Sequence, residues 1–234
     1  METCYGKAER SRRRISMPFY SSHPFLFGFL GFCMLKNLVS SQNYTLIFAS
    51  DLNNVRNCSC STLIRDCDYS LANLMCSCKT ILFQRNRTLS SLVYTGDLTV
   101  WFPNTPTLGQ LLNFSLVNDL KISFCGAAPL PAQYLAILGL RHLRVKTRGA
   151  PEQSLKLYNH EDIVSKDAAC TDSGGRRSSH HISYLDTSLF NRNTSLRSYS
   201  VEDVPSIADH FPNLPYPGTG SAAINVSFVV TLIY

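Results

Sequence analysis

Residues 57–80 contain five of the nine cysteines of the chain. Two Cys-x-Cys pairs flank a single central cysteine in the string NCSCSTLIRDCDYSLANLMCSCKT. Cysteines at short spacings can bind a metal ion, form a catalytic redox pair or form structural disulfides. The choice among these chemistries depends on the redox compartment in which the chain folds, and the N-terminal segment carries the information on that compartment.

The first 41 residues have the composition of a secretory signal peptide. Basic residues precede a short apolar run, FLFGFLGFCML at 25–35, which is shorter than the roughly 20 apolar residues that span a bilayer. Small residues follow at 39–41, so we predict cleavage before Gln42, with either Met1 or Met17 as the starting residue. The alternative is a retained signal anchor, which would make the chain a receptor-type ligand module. No later segment predicts a membrane span.

Removal of residues 1–41 changes the charge balance of the chain. The segment contains six of the 22 Lys and Arg residues and two of the 16 Asp and Glu residues. The remainder has 16 basic and 14 acidic residues, so its net charge is +2, against +6 for the whole sequence. It contains no basic stripe of the kind that nucleic-acid binding requires, and we predict no nucleic-acid partner.

Glycosylation sequons support the same compartment, because Asn-x-Ser/Thr is modified only in chains that enter the secretory pathway. Six sequons occur, and we predict N-glycosylation among them. The candidate residues are Asn43, Asn57, Asn86, Asn113, Asn193 and Asn225.

Clustered cysteines in an oxidising compartment are most economically interpreted as disulfides. Zinc is disfavoured because Cys-x-Cys lacks the Cys-x2-Cys spacing of zinc knuckles, and a redox pair is disfavoured because no Cys-x-x-Cys motif occurs. We therefore predict no metal site and no cofactor. The candidate disulfide cysteines are Cys58, Cys60, Cys67, Cys76, Cys78, Cys125 and Cys170.

Seven cysteines cannot all pair within one chain, so one thiol stays free or bonds another chain. The two residues of a Cys-x-Cys pair cannot readily bond each other. This favours bonds between the two pairs, and a bond from Cys67 to either Cys125 or Cys170. The sequence leaves the connectivity open.

A weak repeat follows the cysteine cluster. Leu98, Leu120 and Leu143 lie 22 and 23 residues apart, each in a short alternating stretch that predicts a strand. Helices are predicted between these strands, one over the leucines of residues 108–112 and one over PLPAQYLAILGL, with Pro131 in its first turn. Strand, turn and helix at this period are typical of leucine-rich solenoids, in which each unit is buried against the next.

We therefore predict a β-rich α/β fold, a solenoid-like, leucine-rich-repeat-like stack of short strands and helices with an N-terminal disulfide-stapled cap. A mixed α/β domain or a β-sandwich is the alternative, because its strands would give a similar pattern. Further strands are predicted at SLKLY, HISYL, LRSYSV and NVSFVVTLIY. The predicted segments are a signal peptide at 1–41, a cysteine-rich cap at 42–80, a core at 81–158, a polar disordered excursion at 159–180 and a β-rich part of the same domain at 181–234.

The excursion contains the one string that suggests catalysis, TDSGG at 171–175. It is similar to the nucleophile loop of chymotrypsin-like proteases, but no glycine precedes Asp172, and no upstream segment supplies the histidine base. His180 and His181 are adjacent, so they do not share a strand face. We predict a non-enzymatic interaction protein, with a secreted hydrolase as the alternative. An interaction protein should expose an apolar patch free of sequons, and we expect it near Trp101 and Phe102 or along the strand faces.

Five strings of the chain resemble the exosomal polycystin-interacting protein family. They are RNCSCSTLIRDCDYSLANLMCSCKT, LLNFSLVNDLKISFC, LPAQYLAILGL, PEQSLKL and LFNRNTSLRSYSVEDVPSIADHFPNL. The resemblance covers most of residues 42–234, and the ordered cysteines make it specific. It implies a secreted, N-glycosylated, non-enzymatic protein of secretory and extracellular vesicles. It also implies that the protein self-associates, binds the extracellular repeats of polycystin and takes part in the sequestration and export of worn-out mitochondria.

Overall fold

The structure, a computed structural model, describes residues 43–49, 54–82, 92–147, 149–158, 178–191, 195–217 and 226–234. All of them belong to one compact unit, Ser41–Tyr234. The predicted signal peptide at 1–41 lies outside the described residues and stays a prediction.

The described residues form eleven strands, three short α-helices and one 3-10 helix. The strands are β1 (Tyr44–Ala49), β2 (Asn54–Cys60), β3 (Ser77–Leu82), β4 (Val93–Phe102), β5 (Ser115–Phe124), β6 (Tyr134–Leu138), β7 (His142–Lys146), β8 (Gln153–Lys156), β9 (Ser178–Asp186), β10 (Ser198–Val204) and β11 (Val226–Ile233). The α-helices are α1 (Tyr69–Met75), α2 (Thr105–Leu112) and α3 (Ile207–His210), and the 3-10 helix is Thr187–Asn191.

All eleven strands belong to one mixed sheet, in the order β10-β11-β9-β6-β5-β4-β1-β2-β3. β7 also pairs with β5 further along that strand, and β8 pairs with β7. The central strands β1, β4 and β5 are parallel, whereas the hairpin partners β1–β2 and β2–β3 are antiparallel. At the other end of the sheet, β11 is parallel to β9 and antiparallel to β10.

The repeated leucines lie side by side on adjacent parallel strands. Leu98 of β4 is in register with Leu120 of β5, and Leu120 is in register with Leu143 of β7. All three are buried in one core cluster. The strands predicted from this repeat are therefore confirmed, as are the predicted strands that correspond to β8, β9, β10 and β11. The leucine-rich solenoid is not confirmed, because antiparallel pairs flank the parallel strands in one mixed sheet, and the mixed α/β alternative fits the structure.

One of the two predicted helices is confirmed and the other is wrong. α2 begins after Asn104, whose side chain accepts a hydrogen bond from the Thr107 amide, and it buries Leu108, Leu111 and Leu112. The segment after Pro131 forms β6 instead of a helix. Its residues 135–137 are buried on both faces of the sheet, and a short apolar run of this kind cannot be distinguished from a helix by periodicity.

Both faces of the central strands are covered. On β4, Leu98, Val100 and Phe102 pack into the larger core cluster, while Trp101 points to the opposite face and packs into a second cluster. The patch that we expected near Trp101 and Phe102 is therefore absent, because both side chains are fully buried. Buried and exposed side chains alternate along a strand that has one face in solvent, but they do not alternate along a strand that is covered on both faces.

The predicted polar excursion at 159–180 is corrected at its end. β9 begins at Ser178 and pairs in parallel with β11, so the last three residues of the excursion belong to the sheet. Residues 159–177, including Cys170 and the string TDSGG, lie outside the described residues. The boundaries proposed between cap, core and C-terminal part stay predictions.

The two leucines of β5 at positions 116 and 120 provide a test of this core. Leu120→Ala should lower the free energy of unfolding by about 2–5 kcal/mol, since it leaves a cavity among fully buried side chains. Leu116→Ala on the same strand should lower it by about 1 kcal/mol or less, because that side chain is partly exposed. Urea unfolding, followed by the fluorescence of the single tryptophan, measures both. Equal losses would contradict the assignment of the two side chains.

Candidate functional site

The segment formed by β2, α1 and β3, residues 54–82, is called the cap here. Two disulfides join its two Cys-x-Cys pairs, Cys58 to Cys78 and Cys60 to Cys76. Cys58 and Cys78 are directly opposite each other in the antiparallel register of β2 and β3. The cap thus has the cross-paired arrangement that the sequence favoured.

The cap helix α1 has only seven residues, fewer than an isolated helix needs to be stable in water. Asp68 precedes it, and its carboxylate accepts a hydrogen bond from the Leu71 amide at 2.9 Å. Ala72 is buried against the sheet, and the Tyr69 ring lies 5.3 Å from Phe48 and 5.8 Å from Trp101 between centroids. Tertiary packing and the flanking disulfides therefore stabilise this helix.

Two further contacts attach the loop before α1 to the central strand β5. Cys67 forms a disulfide with Cys125, which follows β5 directly. Next to it, the Lys121 ammonium lies 3.2 Å from the Asp66 carboxylate and 2.8 Å from the carboxylate of Glu152. The cap strand β2 already pairs with β1, and this disulfide and ion pair additionally attach the loop before α1 to β5 and the residue that follows it.

Lys121 stays charged in this position. Burial by itself would lower the pKa of Lys121, but hydrogen bonds and Coulombic attraction from Glu152 and Asp66 outweigh the burial and raise the pKa above its usual value. Because the pKa is higher in the folded state, the stabilisation is present at neutral pH and is lost only when the pH rises through the raised pKa.

The outward side of α1 carries large apolar residues. Leu71, Leu74 and Met75 are exposed, and their i, i+3, i+4 spacing places them on one stripe of the helix, whereas Ala72, on another side, is buried. Leu74 is 79% exposed and Met75 is 51% exposed. We call these three residues the cap face. Leu63, in the loop that leads to the helix, is also exposed.

An exposed apolar stripe on a rigid element marks a candidate contact surface for another molecule. The sequence suggested no role for this helix, although the helical spacing of its apolar residues is visible in the string LANLM. Only the packing of Ala72 and Tyr69 shows which side of the helix is covered.

None of the described sequons is on α1. Asn43 is exposed just before β1, and Asn57 lies on β2 with its side chain on the face opposite Cys58, whereas Cys58 and Ala72 pack together. Asn113 follows α2, and its side-chain oxygen accepts a hydrogen bond from the Ala136 amide at 3.1 Å. The other candidates lie outside the described residues, namely Asn86, Asn193 and Asn225.

The titratable groups do not gather into one site in the part of the chain that the structure describes. No group of three His, Cys, Asp or Glu residues there could hold a metal ion. His142 and Asp119 form an exposed pair at 2.6 Å. His180 and His181 lie on opposite faces of β9, as predicted, with the His180 ring 6.1 Å from that of Phe228. None of the described helices has the length and hydropathy needed to cross a bilayer.

Comparison with known proteins gives one family match. The model of the family described as exosomal polycystin 1 interacting protein matches residues 17–234. No solved structure matches this chain.

The disulfide between Cys67 and Cys125 should contribute more to stability than the one between Cys60 and Cys76. It spans 58 residues instead of 16, and chain entropy predicts stabilisation of about 4 and about 3 kcal/mol respectively. We expect the double variant C67S/C125S to lose the larger amount in urea unfolding, and C60S/C76S serves as the matched control. A smaller loss for C67S/C125S would contradict this ranking of the two disulfides.

Proposed function

Because the chain belongs to the exosomal polycystin 1 interacting protein family, we propose that it is a secreted, non-enzymatic adaptor that binds the extracellular repeats of polycystin 1. The family description is the observation that carries this proposal. It names an interaction rather than a reaction, and it places the family in exosomes.

The cap face is the proposed contact surface. Burying a large apolar side chain contributes roughly 1.5–3 kcal/mol, so Leu71, Leu74 and Met75 together could supply much of the binding free energy. The helix is already ordered by its packing and by the adjacent disulfides. Binding through it would therefore require little further loss of conformational entropy.

Secretion is supported by the disulfides, since such bonds persist in oxidising compartments and are rare in the cytosol. N-glycosylation is proposed at the exposed Asn43 and at other sequons. A glycan at Asn57 would leave the cap face open, because Asn57 is on the face of β2 opposite to the one on which Ala72 packs.

The finer parts of the proposed function rest on the family resemblance alone. They are self-association, residence in extracellular and secretory vesicles, and a part in the sequestration and exocytosis of senescent mitochondria. No described residue is assigned to any of them here.

A single charge on the cap face tests the contact surface. Leu74→Asp should weaken binding to the polycystin 1 ectodomain at least tenfold, or about 1.4 kcal/mol, because it places a carboxylate in an apolar interface. Val93→Asp is the matched control, since Val93 is also a highly exposed apolar residue but lies on β4, outside the cap. Surface plasmon resonance with the secreted, full-length protein measures both affinities, and thermal unfolding checks that both variants fold.

The possible outcomes distinguish a wrong contact surface from a wrong binding partner. Equal binding by both variants and the unmodified protein would show that the cap face is not the contact surface, while the adaptor function would stand. Failure of the unmodified protein to bind the ectodomain would overturn the adaptor function itself.

A further inference from the structure

A polar pocket of about 220 Å³ lies at the end of the sheet that is formed by β9, β11 and β10. Its floor consists of side chains from these three strands, and residues 156–158, at the end of β8 and just beyond it, form a wall. None of the cap residues lines it, so it is separate from the proposed contact surface.

The floor is formed by hydroxyl side chains that lie next to the larger core cluster on the same strands. Leu185 of β9 and Ile233 of β11 are buried in that cluster. Two residues earlier on each strand, and therefore on the same face, are Ser183 and Thr231, both almost fully buried. Thr231 and Ser200 of β10 share a hydrogen bond of 2.6 Å between their hydroxyl oxygens. Hydroxyls can donate and accept, so this floor can bind a ligand that carries hydroxyl groups.

The wall adds a cation and an aromatic ring. Lys156 lies with its ammonium nitrogen 5.2 Å from the centroid of the Tyr158 ring, and both residues line the pocket. Tyr158 is otherwise largely exposed. Leu157 and Val229 add apolar surface beside them. None of the described lining residues is acidic, so the lysine charge is available to an anion.

We propose that this pocket binds an acidic sugar, a pyranose ring that carries a carboxylate. The carboxylate would pair with Lys156 in a charge-assisted hydrogen bond, and sugar hydroxyls would bond to Ser183 and Thr231. The apolar face of the ring would pack on Tyr158, as saccharide rings can on exposed aromatic side chains. The volume is below the roughly 300–1,000 Å³ of sites for drug-sized ligands, which limits the occupant to about one sugar residue.

A bare phosphate or sulfate ion fits these observations less well. Such an ion could pair with Lys156 and the hydroxyls, but it has no apolar surface for Tyr158, Leu157 and Val229. The combination of a cation, buried hydroxyls and an exposed aromatic ring therefore favours the acidic sugar.

The binding test uses the secreted, full-length protein after sialidase treatment, so that sialic acid on its own glycans cannot compete. Saturation-transfer NMR with 3′-sialyllactose should show binding with a Kd of about 1 mM, and lactose, which lacks the carboxylate, should bind at least tenfold more weakly. Inorganic phosphate at the same concentration should not displace the sialyllactose. Equal binding of the two sugars, displacement by phosphate, or no binding of sialyllactose would each overturn the assignment.

Three variants locate the site. Lys156→Met should weaken sialyllactose binding about tenfold or more and remove the preference over lactose, because the cation is lost while the aliphatic stem is kept. Thr231→Val, which keeps the shape of the side chain but removes the hydroxyl, should weaken binding of both sugars. Lys79→Met removes an exposed lysine of β3, at the opposite end of the strand order, and should leave binding unchanged. Binding that survives both pocket substitutions, or that is lost in Lys79→Met, would place the sugar elsewhere.

Discussion

The aromatic face of the central parallel strands must be covered, and the disulfide-linked cap covers it. Phe48 of β1 and Trp101 of β4 are fully buried beneath Tyr69 and Ala72 of the cap. A segment of about 30 residues cannot build a stable core by itself, so it needs covalent bonds and packing on a larger surface. The central strands and the cap helix thus depend on each other: β1 and β4 give α1 a surface to pack on, and α1 removes large aromatic rings from water.

The attachment of the cap explains why a short helix can present apolar residues to solvent. An isolated helix of this length would unfold, and a mobile segment with exposed leucines would be prone to aggregation. Here α1 is fixed between Cys67, bonded to Cys125, and Cys76, bonded to Cys60. The rigid cap face and the polar pocket therefore represent two kinds of surface in one compact unit. The first suits a protein partner, and the second suits a small acidic sugar.

Much of the strand content could be predicted from the sequence. The spacing of Leu98, Leu120 and Leu143 identified strands that lie in register, and the spacing of the leucines of α2 identified that helix correctly. The segment over β6 was misassigned because its apolar residues are buried on both faces, which removes the alternation that marks a strand. The overall topology could not be predicted, because the repeat describes only neighbouring strands and contains no information on the antiparallel hairpins that flank them.

The sequence by itself determined the family, the positions of most strands and the presence of a crosslinked segment, since ordered cysteines and apolar periodicity are local properties of the chain. The tertiary structure decided which side of each element faces solvent. No helix was predicted over Leu71, Leu74 and Met75, which lie exposed on α1, and an exposed patch was expected near Trp101 and Phe102. That patch is absent because Ala72 and Tyr69 pack on the sheet and cover Trp101, while Phe102 is buried in the core on the opposite face. Burial depends on contacts between residues far apart in the chain, and local patterns do not contain that information.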